Sequence, residues 1–145
     1  MLFRSETAAL FDKYSVLSPR ELHSRAHVYA ETYEKTVNIE SKCMSYICQT
    51  MILPAALSYA RELADTAASL KALGVASDTA ADLAGQVAKL ADALAKSAKA
   101  LTAAEGAVKR IELMDEARAS ADALETLVPS DRWPLPTYAD MMFLI

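Results

Sequence analysis

The sequence predicts an all-α protein: an elongated antiparallel helical bundle with one long, Pro-kinked helix and an extended Trp/Pro C-terminal strap that ends in a short helix. Three observations predict this fold. Apolar residues recur at spacings of three and four along most of the 145 residues. Only three glycines occur, which is fewer than turn-rich β proteins use. Residues 131–145, DRWPLPTYADMMFLI, differ from the rest because they hold the only tryptophan and two of the five prolines.

The N-terminal part, residues 1–17, is predicted to form a short helix from Ser5 to Tyr14 and a linker. A strong helix-start signal follows. Ser18 is an N-cap candidate, Pro19 occupies the first helical position, and Glu21 occupies the third. This order predicts a capping box with a proline start.

The first long helix is predicted to run from about residue 19 to 73, where Gly74 follows as a stop signal. Unbroken, this helix would extend roughly 80 Å. Glu40 occupies one position of the apolar seam, and Pro54 predicts a kink or a short break because it clashes with the carbonyl of Thr50. The seam of its first half comprises Leu22, Ala26, Tyr29, Tyr33, Val37, Met44, Ile47 and Met51.

Two further helices are predicted at about 78–103 and 107–128, with a turn at Gly106 and an end at Pro129. The first of them carries a heptad seam, in which Ser97 holds one skipped position. The apolar members of that seam are Leu83, Val87, Leu90, Leu94 and Leu101. Residues 18–128 are therefore predicted to be the helical bundle.

Residues 129–145 are predicted to be a docking strap with a final short helix. Proline pushes the residue before it toward extended geometry, which makes the stretch from Trp133 to Pro136 stiff. Trp133 and Tyr138 are the expected anchors, since each can bury on the order of 150 to 250 Å². The interface residues predicted in this segment are Trp133, Pro134, Pro136, Tyr138 and Phe143.

Charge and hydropathy exclude two classes of partner. The net charge of −4 argues against binding of nucleic acid through a basic patch. The longest interior apolar run, MILPAAL at 51–57, is far shorter than the roughly 20 residues that span a bilayer. Charges at Arg4, Glu6 and Asp12 interrupt any signal-peptide core, so we expect no membrane partner and a cytoplasmic protein.

No catalytic or cofactor-binding constellation is found in the sequence. It contains no GxGxxG, no P-loop and no CxxC. His23 and His27 have the helical spacing of zinc ligands, and Glu31 one turn later could be a third. The alternative, two exposed histidines on a solvated face, is favoured, so no metal site is predicted beyond these weak candidates.

Three further groups have two readings each. Glu40, with Asn38 nearby, could form a polar contact to another domain, or its carboxylate could reach solvent or a bundle neighbour; the second is favoured. The tyrosines at 29, 33, 46 and 59 favour core or interface over a cofactor site. Cys43 and Cys48 lie too far apart on a helix for a disulfide, at roughly 8 to 9 Å between Cα atoms, and are expected to be buried or half-buried thiols.

Six segments carry a resemblance to a known family. They are VLSPRELHSR, TVNIES, MILPA, LADTAASLKALG, LETLV and DRWPLPTYADMMF, spread from residue 16 to residue 143. In this order they resemble the C-terminal region of type III glutamine synthetases, the large bacterial form of the enzyme. Residues 75–110 are generic alanine-rich helix and add little to the resemblance.

The resemblance implies a parent enzyme that makes glutamine from glutamate and ammonia with ATP and Mg²⁺ or Mn²⁺, assembled as a double-ringed dodecamer. It also implies that the catalytic barrel lies upstream, so no catalytic residue is carried over to this chain. The expected partners are the catalytic domain of the parent and neighbouring subunits. We expect this segment to have a structural role, to hold no cofactor and to be inactive alone.

A function from another class is kept beside this one. A stand-alone helical-bundle adaptor could bind a partner through the leucine seam or the C-terminal strap. Exposure of Trp133 is the expected discriminator: a domain separated from its partner should expose it within an apolar patch, and a self-sufficient adaptor should bury it.

Overall fold

A computed structural model describes residues 5–75, 78–136 and 138–143, with only the backbone described at Ser5, Tyr138 and Ala139. Across these ranges the chain is all-α and has no strand, which confirms the predicted fold class. The elements are α1 (Ser5–Lys13), α2 (Pro19–Ile47), a π turn (Cys48–Ile52), α3 (Leu53–Ala72), α4 (Asp78–Ala103), α5 (Ala107–Glu125) and α6 (Tyr138–Met142). The predicted long helix exists as the continuous helical run α2–π turn–α3.

The chain divides into two compact units, residues 1–39 and 40–145. The first unit contains α1 and the start of α2, where the predicted capping box is present. The Ser18 backbone N–H and hydroxyl both donate to Oε2 of Glu21, at 2.8 and 2.7 Å, and the Glu21 N–H donates to the Ser18 hydroxyl at 3.4 Å. Reciprocal capping of this kind fixes the first turn of α2 next to Pro19.

The capping box predicts a local response to pH. Hydrogen bonds from the Ser18 side chain and backbone lower the pKa of Glu21 below its ordinary value of 4.5. Because the folded pKa is depressed, this contribution to stability is complete above about 4.5 and is lost as pH falls through the folded pKa. We expect the amide resonance of Ser18 in an NMR titration to report a pKa below 4.5. In Ser18→Ala the Glu21 carboxyl should titrate closer to its ordinary value, and an unchanged titration would contradict the capping role.

The helix continues past Pro54 through a π turn, so the short break that the sequence allows is absent. The Leu53 N–H donates to the carbonyl of Cys48, five residues back, and Pro54 occupies the first turn of α3. Proline lacks an N–H and crowds the carbonyl four residues before it, so the wider i→i+5 pattern accommodates the ring while helical geometry continues. The Thr50 hydroxyl donates to the carbonyl of Tyr46 at 2.7 Å on the same stretch.

Two glycines with positive φ mark the ends of helices, as predicted. Gly74 has φ 73°, its N–H donates to the Lys71 carbonyl, and the Val75 N–H donates to the Leu70 carbonyl. These two bonds form a Schellman motif, which uses the left-handed conformation that glycine adopts without strain. Gly106, with φ 79°, precedes α5.

The second unit is built around α4. Helix α3 packs on α4, α4 packs on α5, and the π turn contacts both α4 and α5. The short connections between α3, α4 and α5 make consecutive helices antiparallel. The buried members of this core are Cys48, Ile52, Ala56, Val87, Ala91, Leu94, Ala98, Leu101, Leu113, Ala117, Leu124, Val128 and Trp133.

The predicted heptad seam of α4 is fully buried at some of its positions and half-buried at others. Val87, Leu94 and Leu101 are buried, and Ser97 is buried with its hydroxyl bonded to carbonyls of its own helix. Leu83 and Leu90 are only half-buried. The alanines of α4 fill the remaining core positions, which allows the neighbouring helices to approach closely.

The predicted seam of α2 is buried at Leu22 and Val37 and changes register after Val37. There Ser41 and Ser45 are buried, with 1% and 3% of their surface exposed, while Glu40 is exposed. The Ser45 hydroxyl donates to the Ala98 carbonyl of α4 at 2.9 Å, and the Gln49 amide donates to the Ser45 oxygen at 2.8 Å. A hydroxyl that finds an acceptor is readily buried, so serine replaces an apolar residue at this contact.

Candidate docking surfaces

The segment after α5 turns back toward the bundle. Helix α5 ends at Glu125, three residues before the predicted end, and the N–H groups of Leu127 and Val128 both donate to the Leu124 carbonyl. The Pro129 carbonyl then accepts from the N–H groups of Arg132 and Trp133, each at 3.0 Å. These two hydrogen-bonded turns bring Trp133 to the core.

Trp133 is buried, with 8% of its surface exposed, and belongs to the core of the second unit. Its indole Nε1–H has no hydrogen-bond partner among the described residues, which is unusual for a buried donor. Pro134 and Leu135 are half-buried, and Pro136 is exposed. An ion pair between Arg132 and Glu62 also connects this segment to α3.

The burial of Trp133 is opposite to what the sequence led us to expect for a domain separated from its partner. A side chain that packs on its own bundle stays buried whether or not a further domain is present. Burial of Trp133 is therefore compatible with both functions, although by the criterion given above it is the outcome expected of a self-sufficient adaptor.

The end of the segment is a separate, exposed surface. Helix α6 begins at Tyr138, whose side chain lies outside the described residues. Phe143 is 72% exposed, and Met141 and Met142 before it are exposed as well. These three apolar side chains are available to an interaction partner.

The polar pair predicted on α2 is divided between the two units. Asn38, in the first unit, is half-buried and has an interaction partner. Glu40, the first residue of the second unit, is exposed, and no ion pair joins it to a described residue. Its exposure in this chain is compatible with both interpretations of Glu40 given above.

Glu40 stands at the rim of a groove of about 460 Å³ between α2 and α5. We call this cleft the α2–α5 groove. Its floor is apolar and continuous with the core, and its rim carries the charged side chains of Glu40, Arg118 and Asp122. The other lining residues are Cys43, Met44, Ile47, Cys48, Ile52, Ala117, Ala121 and Leu135.

The groove brings together residues that the sequence analysis considers and others that it does not. Glu40, Cys43 and Cys48 are in the first group, with two members of the predicted α2 seam, Met44 and Ile47. Ala117 and Ala121 are in the second group, because alanine is common in the helix predicted at about 107–128 and no local pattern marks these two.

The two thiols in the groove differ in environment. Cys43 is exposed and Cys48 is buried, so the expectation of burial is met by Cys48 alone. Burial raises the pKa of the Cys48 thiol. Both cysteines are free.

The histidine pair of α2 gains no support as a metal site. His23 and His27 are both exposed, and Glu31 forms an ion pair of 2.7 Å with Lys35. In the described part of the chain no three His, Cys, Asp or Glu side chains are grouped so that they could hold a metal ion. These residues therefore do not fit a resident divalent metal.

Three of the four tyrosines considered above are exposed. Tyr29, Tyr33 and Tyr46 lie at the surface, and Tyr59 is half-buried against the core. A position in the core therefore applies to Tyr59 alone.

Within residues 5–75, 78–136 and 138–143, no helix has both the length and the apolar character needed to cross a membrane.

Comparison with known proteins gives a consistent result. The family model "Glutamine synthetase C-terminal domain" matches residues 1–71. A type-3 glutamine synthetase of Dictyostelium discoideum is 26% identical to this chain. The alignment covers 93% of this chain and 21% of the length of that relative. A glutamine synthetase of Butyrivibrio fibrisolvens is 28% identical over 95% of this chain and 22% of its own length.

The chain thus spans about a fifth of the length of the curated relatives it matches. No solved structure matches it significantly. These matches confirm the resemblance predicted from six short segments: residues 1–71 match the family model of the glutamine synthetase C-terminal domain, and the chain is similar, along nearly its whole length, to a type-3 glutamine synthetase and to a second glutamine synthetase.

Proposed function

We propose that this chain is the C-terminal helical domain of a protein of the type-3 glutamine synthetase kind, with a structural and assembly role. The observation that carries the proposal is the pair of alignments described above, which cover nearly all of this chain and about a fifth of each relative. A segment of this kind contributes one part of a larger enzyme. Its parent would form glutamine from glutamate and ammonia with ATP and a divalent cation.

Within that parent, the partners of this domain would be the catalytic domain and neighbouring subunits of a dodecamer. Exposed apolar side chains support a role in contacts. They include Tyr29 and Tyr33 in the first unit and Met141, Met142 and Phe143 in the second. An exposed apolar patch on either unit would be typical of a protein–protein interface. We also propose a cytoplasmic location, which follows from that of the parent.

The segment itself would hold no active site. ATP and Mg²⁺ or Mn²⁺ would be bound by the catalytic part, since the described residues offer no cluster of metal ligands. The Trp/Pro segment would be a strap that docks the helical domain on itself, and this reading is supported by the burial of Trp133 and by the ion pair of Arg132 with Glu62. The exposed Pro136 and Phe143 would then face a partner.

The chain alone is expected to form no glutamine in the presence of glutamate, ammonia, ATP and Mg²⁺ or Mn²⁺. Glutamine produced in a preparation freed of host synthetase would contradict the proposal. The complementary measurement uses the Butyrivibrio fibrisolvens relative with the segment that aligns with this chain deleted. We expect that variant to lose its assembly in analytical ultracentrifugation, and an intact oligomer with full activity would exclude an assembly role.

The alternative function, a stand-alone adaptor, has one observation in its favour: Trp133 is buried in the chain's own bundle. The leucine seam gives the adaptor function less support. Its members Val87, Leu94 and Leu101 are buried, so a partner could reach them only if the bundle opened. The upstream reading frame of the source DNA discriminates the two functions. A continuous frame encoding catalytic-domain sequence favours the synthetase domain, and a stop codon with a ribosome-binding site directly before Met1 favours the adaptor.

A further inference from the structure

The α2–α5 groove has the features of a seat for one more helix. Its floor is lined by buried core residues, including Cys48, Ile52 and Ala117. The side chains above that floor, such as Met44, Ile47 and Leu135, pack against the core and remain only partly buried. The apolar surface therefore extends from the core to the solvent without a break. A further helix could cover its exposed part.

The shape of the groove favours a helix over an extended peptide. Ala117 and Ala121 lie four residues apart on α5 and form a channel of small side chains, into which a ridge of residues spaced i, i+4 can pack. An extended peptide gains its affinity mainly from backbone hydrogen bonds to a sheet edge. The described part of the chain has no strand that could supply such an edge.

The charges at the rim specify the chemistry of that helix. Arg118 is paired with Asp122, with Nε and Oδ2 3.5 Å apart. Glu40 has no ion-pair partner among the described residues and points its carboxylate toward solvent. Each of these three charged side chains is exposed. The rim would therefore attract a partner of complementary charge without burying a charged group. The uncompensated charge of the groove is negative and is located at Glu40.

We infer that the α2–α5 groove binds an amphipathic helix from outside this chain, with an apolar stripe against Ala117 and Ala121 and a Lys or Arg opposite Glu40. This surface and its occupant go beyond the proposed function and do not rest on it, because the groove, its alanine channel and its charge belong to this chain. The alternative occupant is a second copy of the chain, and the test distinguishes it.

The test uses two synthetic helices of about five turns. Both carry the same leucine stripe; one has lysines flanking the stripe and the other has glutamates. Fluorescence anisotropy of the labelled peptides is measured with the intact chain. We expect the lysine peptide to bind at least about tenfold more tightly than the glutamate peptide, and Glu40→Lys to reduce or reverse that preference. Glu105→Lys makes the same change in net charge at a site outside the groove and should leave the preference intact.

A pair of α5 variants tests the channel independently of charge. Ala121→Leu places a larger side chain in the groove and is expected to weaken binding of the lysine peptide about tenfold or more. Ala119→Leu makes the same substitution on an exposed position of the same helix, facing away from the groove, and should not change binding. Circular dichroism and the fluorescence of Trp133, the only tryptophan, verify that each variant folds.

Protection of a thiol gives a second readout at the site itself. Cys43 lines the groove and is exposed, so it should react readily with iodoacetamide. Saturating lysine peptide should slow that reaction in the unmodified chain and not in Ala121→Leu. Equal binding of both peptides, equal effects of Ala121→Leu and Ala119→Leu, or no binding at all would overturn the inference. Self-association that disappears in Ala121→Leu would assign the groove to a second copy and overturn it as well.

Discussion

Replacing Trp133 with alanine is expected to lower the free energy of unfolding by about 3–5 kcal/mol, as the truncation of a large buried aromatic residue usually does. The indole is 8% exposed and belongs to the core formed by the π turn, α3, α4 and α5. Its removal leaves a cavity where the segment after α5 returns to the bundle. Urea denaturation followed by circular dichroism measures the change.

Two control variants separate the loss of buried packing from other effects of the Trp133 substitution. Phe143→Ala removes an aromatic side chain that is 72% exposed and should change stability by no more than about 0.5 kcal/mol. Trp133→Phe keeps an apolar ring and removes the indole N–H that has no partner among the described residues. Because an unsatisfied buried donor costs about 1–3 kcal/mol, its removal should offset much of the packing lost in the smaller ring. A denaturation midpoint unchanged in Trp133→Ala would exclude docking of this segment on the bundle.

Local sequence signals predicted the helix ends well. The Ser18–Glu21 capping box and the Gly74 stop depend on interactions among residues a few positions apart, and both are present. The seam of α4 was recognised for a similar reason, because Val87, Leu94 and Leu101 are spaced seven residues apart. All three are buried. Such signals need no knowledge of which helix packs on which.

What the sequence could not provide is the register between helices. Spacing from Val37 places Glu40 in the seam, yet Ser41, one position later, is the buried residue. One turn on, the Ser45 hydroxyl donates to the Ala98 carbonyl of another helix, a contact that periodicity does not reveal. The local response to Pro54 was also undetermined, because more than one distortion of a helix accommodates a proline, and the π turn is one of them. The burial of Trp133 depends on the path of the chain after Pro129, which periodicity does not encode.

The same limit applies to the candidate site. Glu40 was singled out because it interrupted an apolar pattern, and it does lie at the rim of the α2–α5 groove. The alanines across from it could not be assigned to a groove, since alanine occurs throughout the bundle and only the structure shows which of its faces are covered. A groove between helices becomes visible only when their pairing is known.

Leu94→Ala is expected to destabilise the chain by about 2–5 kcal/mol, the range for a leucine truncated in a close-packed core. Leu94 has no exposed surface and lies midway along α4, the helix on which both α3 and α5 pack. Truncation of a fully buried side chain on this central helix leaves a cavity, and the cost rises with the volume that the surrounding helices do not fill. Chemical denaturation measured at equilibrium gives the value.

Leu57→Ala is the matched control for this substitution, because Leu57 is also within a helix and is 55% exposed. It should cost about 0.5 kcal/mol or less. A difference of several kcal/mol between the two variants means that the leucine seam serves the bundle's own interior and leaves partner binding to other surfaces. Similar small losses in both would place Leu94 at an accessible surface, and the adaptor function would regain the seam as its binding site.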